Sequence, residues 1–482
     1  MKKARAAAAL AALVSSLAAP DTARGQDERK TEGFWAAKKS AWVGLAAPQR
    51  EEVFKFGDDY KTYLDAARTA ATSTREVIRL AKAAGFSELK DAGQVKPGAK
   101  LWINGRDRAI ILVVVGSDPI VSGSRMVGTH HDSPHINLKA RPLYSSGGFA
   151  LFNTVFYGGI KKYQWANRPL GLLGRVDTPD GKRIDVAIGF QQGDPVFVIT
   201  DNAPHSDKPL RERTYNEVLS GEELDPVAGS IPGPEASVLA QVVATMTSKY
   251  GITEQDFVSS ELELVPAAAP EDVGIDRGLV GAYGQDDRLS SFCAARAVID
   301  LKGTPKKTAL AYLSNFEEVD SVNNTGAASQ FYNSALARLV AAERGGKYTD
   351  LDLREALRRS EVISADVNDG INPLFSQTSE ATNAARLGYG VTVKKYGAGF
   401  DSNSEFTAKI RGILDKNGIA WQTQTPKVEG YSGGTIGGFL SAWEMEVIDM
   451  GVPLLSMHSP FEMSSKVDVW SFYRFMLAFY QS

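Results

Sequence analysis

Residues 128–139, GTHHDSPHINLK, hold three of the chain's five histidines and an aspartate. Histidine used only for packing would be scattered; set beside a carboxylate, it points to metal or acid–base chemistry. Residues two apart on a strand face the same way, so His130 and Asp132 would project together and His131 to the other side. That is the spacing of a metal-binding imidazole with a carboxylate that fixes its orientation. It is equally the spacing of a hydrogen-bonded structural histidine, and the remaining carboxylates have to decide between the two.

GQDDRLSSF puts Asp286 and Asp287 in the turn before a helix, where two acids could also serve as N-caps. SNFEEVDS ends the apolar run TALAYLSNF with Glu317 and Glu318; neighbours on a strand point apart, leaving one acid to bind metal and the other free as a base. Asp366 closes the apolar stretch SEVISAD, and His458 follows EVIDMGVPLLSM. Residues at the mouths of apolar strands fit one site at the strand ends of an α/β sheet. A competing pattern is GYSGG at 430–434, which matches G-x-S-x-G at Ser432, with Asp449 and His458 following in the order of a serine esterase. That motif needs a strand, a sharp elbow and a helix, with acid and histidine on later separate strands. Here all three crowd into one segment around the glycine loop GGTIGG, and the metal reading is preferred.

The elements that would carry these residues alternate. FGDDYKTYLDAARTAATSTREVIRLAKAAGF has helical periodicity up to Gly85, and KLWING, AIILVVVG and SRMVGTHHD read as strands. From about 140 to 240 short alternating stretches (FALFNTVFYGG, RIDVAIGF, PVFVIT) and turn-rich spacers predict a β-rich insertion. Helix LSSFCAARAVIDLK, strand KTALAYLSNF and helix FYNSALARLVAAERG then resume the α/β pattern. The expectation is an α/β catalytic domain in two parts, 35–139 and 251–482, interrupted by an inserted β-rich domain at 140–250.

A chain of 482 residues that is 43% hydrophobic can bury a large core and more than one domain. A net charge of −3 and a pI near 6.1 give no reason to expect nucleic acid. Mean hydropathy of −0.19, with no long apolar run in the body, argues against a membrane span. MKKAR followed by AAAALAALVSSLAA and ARG reads as a signal peptide over 1–25, cleaved between Ala19 and Gln26, exporting the protein to the periplasm or beyond. Cys293 is the sole cysteine, so metal would be held by histidine and carboxylate alone.

Taken in order, HHDSP, YGGIKKYQWANRPLGLLGRV, YGQDDRLSSF, EEVDS, SADV, GGTIGG and MHSPFE resemble the M18 metallopeptidases, the aspartyl aminopeptidase family. YGQDD and YGGIKKYQW are most similar to its bacterial branch. The resemblance implies a metalloaminopeptidase of peptide substrates, built on a central mixed sheet flanked by helices of the zinc aminopeptidase type, with an inserted β-rich dimerisation domain. It implies two divalent ions per subunit: His130, Asp286 and Asp366 on one, Asp286, Glu318 and His458 on the other, with Asp286 bridging. Histidine and carboxylate ligands suit Zn2+, with cobalt or manganese by exchange. Glu317 would be the general base, with Asp132 orienting His130. Gly434 and Thr435 of the glycine loop would contact substrate. So would Lys394 of GYGVTVKKYGAG, meeting the carboxylate of an acidic N-terminal residue while Lys395 faces the other way. His205 in TDNAPH would reach a neighbour's active site in a dimer-based homo-oligomer, up to a closed dodecamer. Asp320 stands where the family often has glycine, and Asp369 and Asn372 where the eukaryotic branch has histidines. These departures spare the ligands and widen the expected preference towards neutral N-terminal residues.

Overall fold

A computed structural model describes residues 33–89, 95–345, 347–397, 399–428 and 433–482; the expected signal peptide and Ser432 lie outside them. Strands Ala109–Val114 and Thr308–Ser314 are buried at every position, which a sheet permits only when both faces are covered. Along Ala109–Val114 the side chains alternate between two cores. Ile110, Leu112 and Val114 join Tyr60, Phe292 and Phe472 of the helices Ala47–Ala66, Gln285–Ile299 and Lys466–Gln481. Ile111 and Val113 join Tyr332 and Leu336 of helix Phe331–Glu343 on the opposite face.

Among the described residues this sheet has nine strands. Four neighbours in its middle, Thr308–Ser314, Ser124–His130, Glu361–Ala365 and Glu446–Gly451, run parallel, while Ala109–Val114 pairs antiparallel with the first of them. The sheet is therefore mixed, and its parallel centre brings four strand ends to one edge. That edge receives His130, the segment after Ser314 and Asp366.

A second, six-stranded antiparallel sheet is built from segments between His135 and Pro266. It has its own core, including Phe152, Trp165, Leu172 and Leu264. Its strands extend past the expected bounds of 140 and 250 on both sides, because His135–Ser146 and Ser260–Pro266 pair with each other inside it. PVFVIT forms no strand there and makes only isolated bridges, Leu170 with Phe197 and Val198 with Val227.

The helical periodicity before Gly85 resolves into two helices, Ala47–Ala66 and Ala70–Ala83. Thr69 accounts for the break: its Oγ1 accepts the Thr72 N–H at 3.2 Å and starts a new helix. No described helix is long and apolar enough to cross a membrane.

Candidate active site

His130 closes its strand and is buried. Its Nδ1 donates to the Asp132 carbonyl at 3.1 Å, with Asp132 Oδ1 at 3.4 Å, so Nε2 faces Asp286 Oδ1 at 3.3 Å and Glu317 Oε2 at 3.8 Å. His131 points elsewhere, as the alternation required. Its Nε2 donates to the Arg108 carbonyl at 2.7 Å and its Nδ1 meets Ser73 Oγ at 3.0 Å, while burial pushes its pKa down to about 4. His135 stacks on Tyr157 at 4.3 Å between ring centroids.

Asp286 and Asp287, joined by a cis peptide bond, begin helix Gln285–Ile299 and divide the two roles open to them. Asp286 turns Oδ1 to His130 Nε2 and Oδ2 to His458 Nε2, the latter at 3.2 Å. Asp287 is the capping acid: Oδ1 accepts the Ser290 N–H at 3.2 Å and Oδ2 the Thr129 hydroxyl at 2.5 Å.

Glu317 and Glu318 do not lie on a strand. The strand stops at Ser314, and the two acids form a 3-10 turn, Glu317–Val319, entered and left through Phe316 and Asp320 with φ of +63° and +69°. The left-handed conformation at Asp320 is the one glycine adopts without strain, which explains the glycine expected there. The turn sends Glu318 Oε2 to within 3.3 Å of His458 Nε2. Asp132 fixes it from below, Oδ1 accepting the Glu317 N–H and Oδ2 the Glu318 N–H, each at 3.2 Å.

Asp366 sits one residue beyond Glu361–Ala365. Two trios each bring one ligand atom per residue within 4.8 Å of the others: His130, Asp286 and Glu318, and His130, Asp287 and Asp366. Sequence reasoning expected Asp286 in the second trio. Asp287, however, has both oxygens engaged by protein donors, whereas the oxygens of Asp286 face imidazole nitrogens. His458 Nδ1 donates to the Gly159 carbonyl at 2.8 Å, which leaves Nε2 aimed at two carboxylates.

Imidazole nitrogens and buried carboxylates therefore converge on one small space. Burial, then the charges of Asp366, Asp132 and Asp286, push the Glu317 carboxyl up to about 8 against the pull of His130. Burial also raises Asp366 to about 6, with Lys394 opposing. For His458 the cost of burial is outweighed by Asp286 and Glu318, which lift it to about 11. Glu318 Oε1 is buried without a hydrogen-bond partner. Such an arrangement asks for positive charge between the groups, and its nitrogen and oxygen donors fit divalent zinc.

The residues expected to meet substrate fare differently. Lys394 Nζ donates to the Val367 carbonyl at 2.8 Å, and Lys395, on the other face, pairs with Asp401 at 2.9 Å. Thr435 spends its hydroxyl on Asp449, at 2.9 and 3.0 Å from the two oxygens, leaving only its backbone for a substrate. A side chain at Gly434 would meet nothing within 4 Å, so this backbone is approachable. His205 lies exposed in the inserted half and takes no part in the cluster of its own chain. The serine-esterase pattern fails at its acid and histidine: Asp449 binds Thr435, and neither nitrogen of His458 meets it.

Glu462, Tyr157 and Gly159 were not singled out by sequence reasoning. Glu462 is buried and accepts the His458 N–H at 2.7 Å; Tyr157 donates to Asp132 Oδ2 at 2.7 Å. YGG and MHSPFE contain them, but their contacts involve backbone groups or a non-ligand hydroxyl, which no residue-type pattern announces.

Comparison with known proteins shows the family. A family model described as aminopeptidase I zinc metalloprotease (M18) matches residues 63–480. A "Probable M18 family aminopeptidase 1" of Borrelia garinii subsp. bavariensis is 37% identical over 455 residues, covering 92% of this chain and 99% of the relative. The crystal structure of an M18 family aminopeptidase from Thermotoga maritima superposes with a TM-score of 0.88 at 37% identity, covering 94% of this chain and 100% of that one. Aminopeptidase I from Borrelia burgdorferi B31 gives 0.81 at 33% identity, covering 92% and 100%.

Proposed function

Because the chain belongs to the M18 family and is a metalloaminopeptidase, we propose that His130, Asp286, Glu318, Asp366 and His458 hold two divalent cations, zinc first, with Asp286 shared and Glu317 as general base. The observation that carries this is the convergence of two imidazole Nε2 atoms on the two oxygens of Asp286, beside the unpartnered buried Oε1 of Glu318. Bound there, the cations would acidify a water and polarise the scissile carbonyl.

The chain's own groups do the rest. Asp132 holds the turn so that Glu318 points inward at His458 while Glu317 stays partly open. Glu317 then takes a proton from the attacking water and returns it to the leaving amine. The peptide loses its N-terminal residue. Choice among those residues is read as broad, since Lys394 already donates to Val367 and has less to offer an acidic side chain.

Two further proposals accompany this one. Subunits associate through the inserted sheet, and residues 1–25 act as a cleaved export signal, which N-terminal sequencing of the mature protein tests. The catalytic reading is tested with aminoacyl chromogenic substrates. Chelation should abolish turnover and zinc add-back restore it; full activity in chelator, lost instead to a serine-directed reagent, would overturn it.

A further inference from the structure

Strand Phe149–Tyr157 of the inserted sheet ends against the candidate metal centre, and three successive residues there touch three parts of it. The Tyr157 hydroxyl donates to Asp132 Oδ2 at 2.7 Å. Asp132 in turn receives the backbone N–H groups of Glu317 and Glu318 and lies against His130 Nδ1. Gly158 has φ of +73°, and a Cβ there would come within 3.1 Å of Pro134 and 3.3 Å of the Glu318 Cβ. The Gly159 carbonyl accepts from His458 Nδ1 at 2.8 Å. Tyr157 is itself held by its stack on His135.

We propose that residues 157–159 are a positioning element of the metal centre, contributed by the inserted sheet, which sets the geometry of His130, Glu318 and His458 together. This rests on the two-cation reading above. Each contact acts on a different group: Tyr157 through Asp132, Gly158 by permitting close approach to Glu318, Gly159 by fixing which nitrogen of His458 is free. Groups that hydrogen-bond a metal ligand or its orienting carboxylate typically govern affinity by 10–100-fold. The catalytic half therefore has an incomplete site without the inserted half, although the candidate ligands themselves all come from the catalytic half or its junction.

The test is zinc affinity, measured by competition with a chromophoric chelator, for the full chain and for Tyr157→Phe. Tyr157→Phe should bind zinc roughly 10–100-fold more weakly, with kcat lowered and KM little changed. The melting temperature of its metal-free form should stay near that of the unsubstituted chain. Gly158→Ala should weaken zinc binding too, by pushing the strand end off Glu318. Affinity in Tyr157→Phe equal to the unsubstituted chain overturns the proposal, as does an equal loss of stability with and without zinc at unchanged affinity. An unsubstituted chain that binds no zinc would sink the two-cation reading itself, a different outcome.

Discussion

Glu462 accepts the backbone N–H of His458 through Oε1 at 2.7 Å, and through Oε2 it accepts the N–H groups of Gln285 and Asp286 at 2.5 and 3.1 Å. One buried carboxylate thus ties the loop carrying His458 to the helix start carrying Asp286. It donates nothing to a metal, yet both sides of the shared carboxylate depend on it. Burial and the Asp286 charge raise its pKa to about 8, with His458 opposing.

Glu462→Ala should weaken zinc binding by roughly 10–100-fold, the usual cost of losing support behind metal ligands. The loss should appear in a zinc titration before it appears in kcat at saturating zinc. An affinity matching the unsubstituted chain would show that the two loops hold their positions without it.

Glu317→Gln should retain the bound metal and lose most turnover, about 10²–10⁴-fold for removal of a general base. The nearest ring nitrogen to Glu317 is 3.8 Å away, against 3.3 Å and less for Asp286, so its removal leaves the converging donors in place. Metal analysis beside kcat separates the two effects. Near-normal turnover in the metal-loaded variant would remove Glu317 from the mechanism.

Asp468 gives stability a pH dependence separate from catalysis. It is fully buried on helix Lys466–Gln481 and accepts the Gly388 and Gly390 N–H groups at 2.6 and 2.7 Å. Burial still dominates and raises its pKa from 3.8 to about 7. The unfolded chain releases this proton near 4 and the folded chain near 7, so across that window the fold binds more protons and stability falls as pH rises. The effect is on the order of 4 kcal/mol at most. Asp468→Asn cannot ionise, so its melting temperature should drop less than that of the unsubstituted chain between pH 4 and 8; parallel profiles would refute the assignment.

The candidate ligands were legible because their residue types are few and fall where apolar strands end: His130, Asp366 and His458 could be named as candidates with no knowledge of the turn that presents each. The 3-10 turn at Glu317 was not, since its cause is a left-handed pair, Phe316 and Asp320, that side-chain alternation does not encode. The break at Thr69 was hidden by apolar periodicity that runs on through both helices. The division of labour between Asp286 and Asp287 depends on Thr129 and Ser290 reaching the second acid, a tertiary fact. Gly159 acts through its own backbone carbonyl, and the Glu462 carboxylate acts on backbone N–H groups, which nearly every residue carries.

Assembly has a physical motive in the inserted half. Phe149, Val155, Phe156 and Tyr215 are 43–56% exposed there, apolar surface that a partner subunit would cover. Light scattering should give a mass that is a multiple of the 52.0 kDa chain, less any removed leader. His205→Ala should then lower activity with metal content unchanged, because its own chain's cluster does not include it. A monomer with full activity would end both expectations.

Substrate choice turns on which charge a side chain meets beside the centre. Lys394 is committed to the Val367 carbonyl, and its ammonium is already shared among the nearby charges of Asp366, Asp369 and Asp449. Asp369 stands where the eukaryotic branch is expected to carry a histidine. It is exposed, its carboxylate accepts no hydrogen bond among the described residues, and Asp286 and His458 lie within electrostatic reach. An acidic N-terminal residue would therefore be repelled by these carboxylates, while a neutral or cationic one would not. Leucyl and lysyl substrates should exceed glutamyl in kcat/KM. Asp369→Asn should raise the glutamyl-to-leucyl ratio by roughly 3–10-fold, about 1 kcal/mol for a solvent-accessible charge pair. Lys394→Ala should leave that ratio nearly unchanged. A glutamyl preference in the unsubstituted chain that collapses in Lys394→Ala would instead make the lysine the selector, with its bond to Val367 given up when substrate arrives.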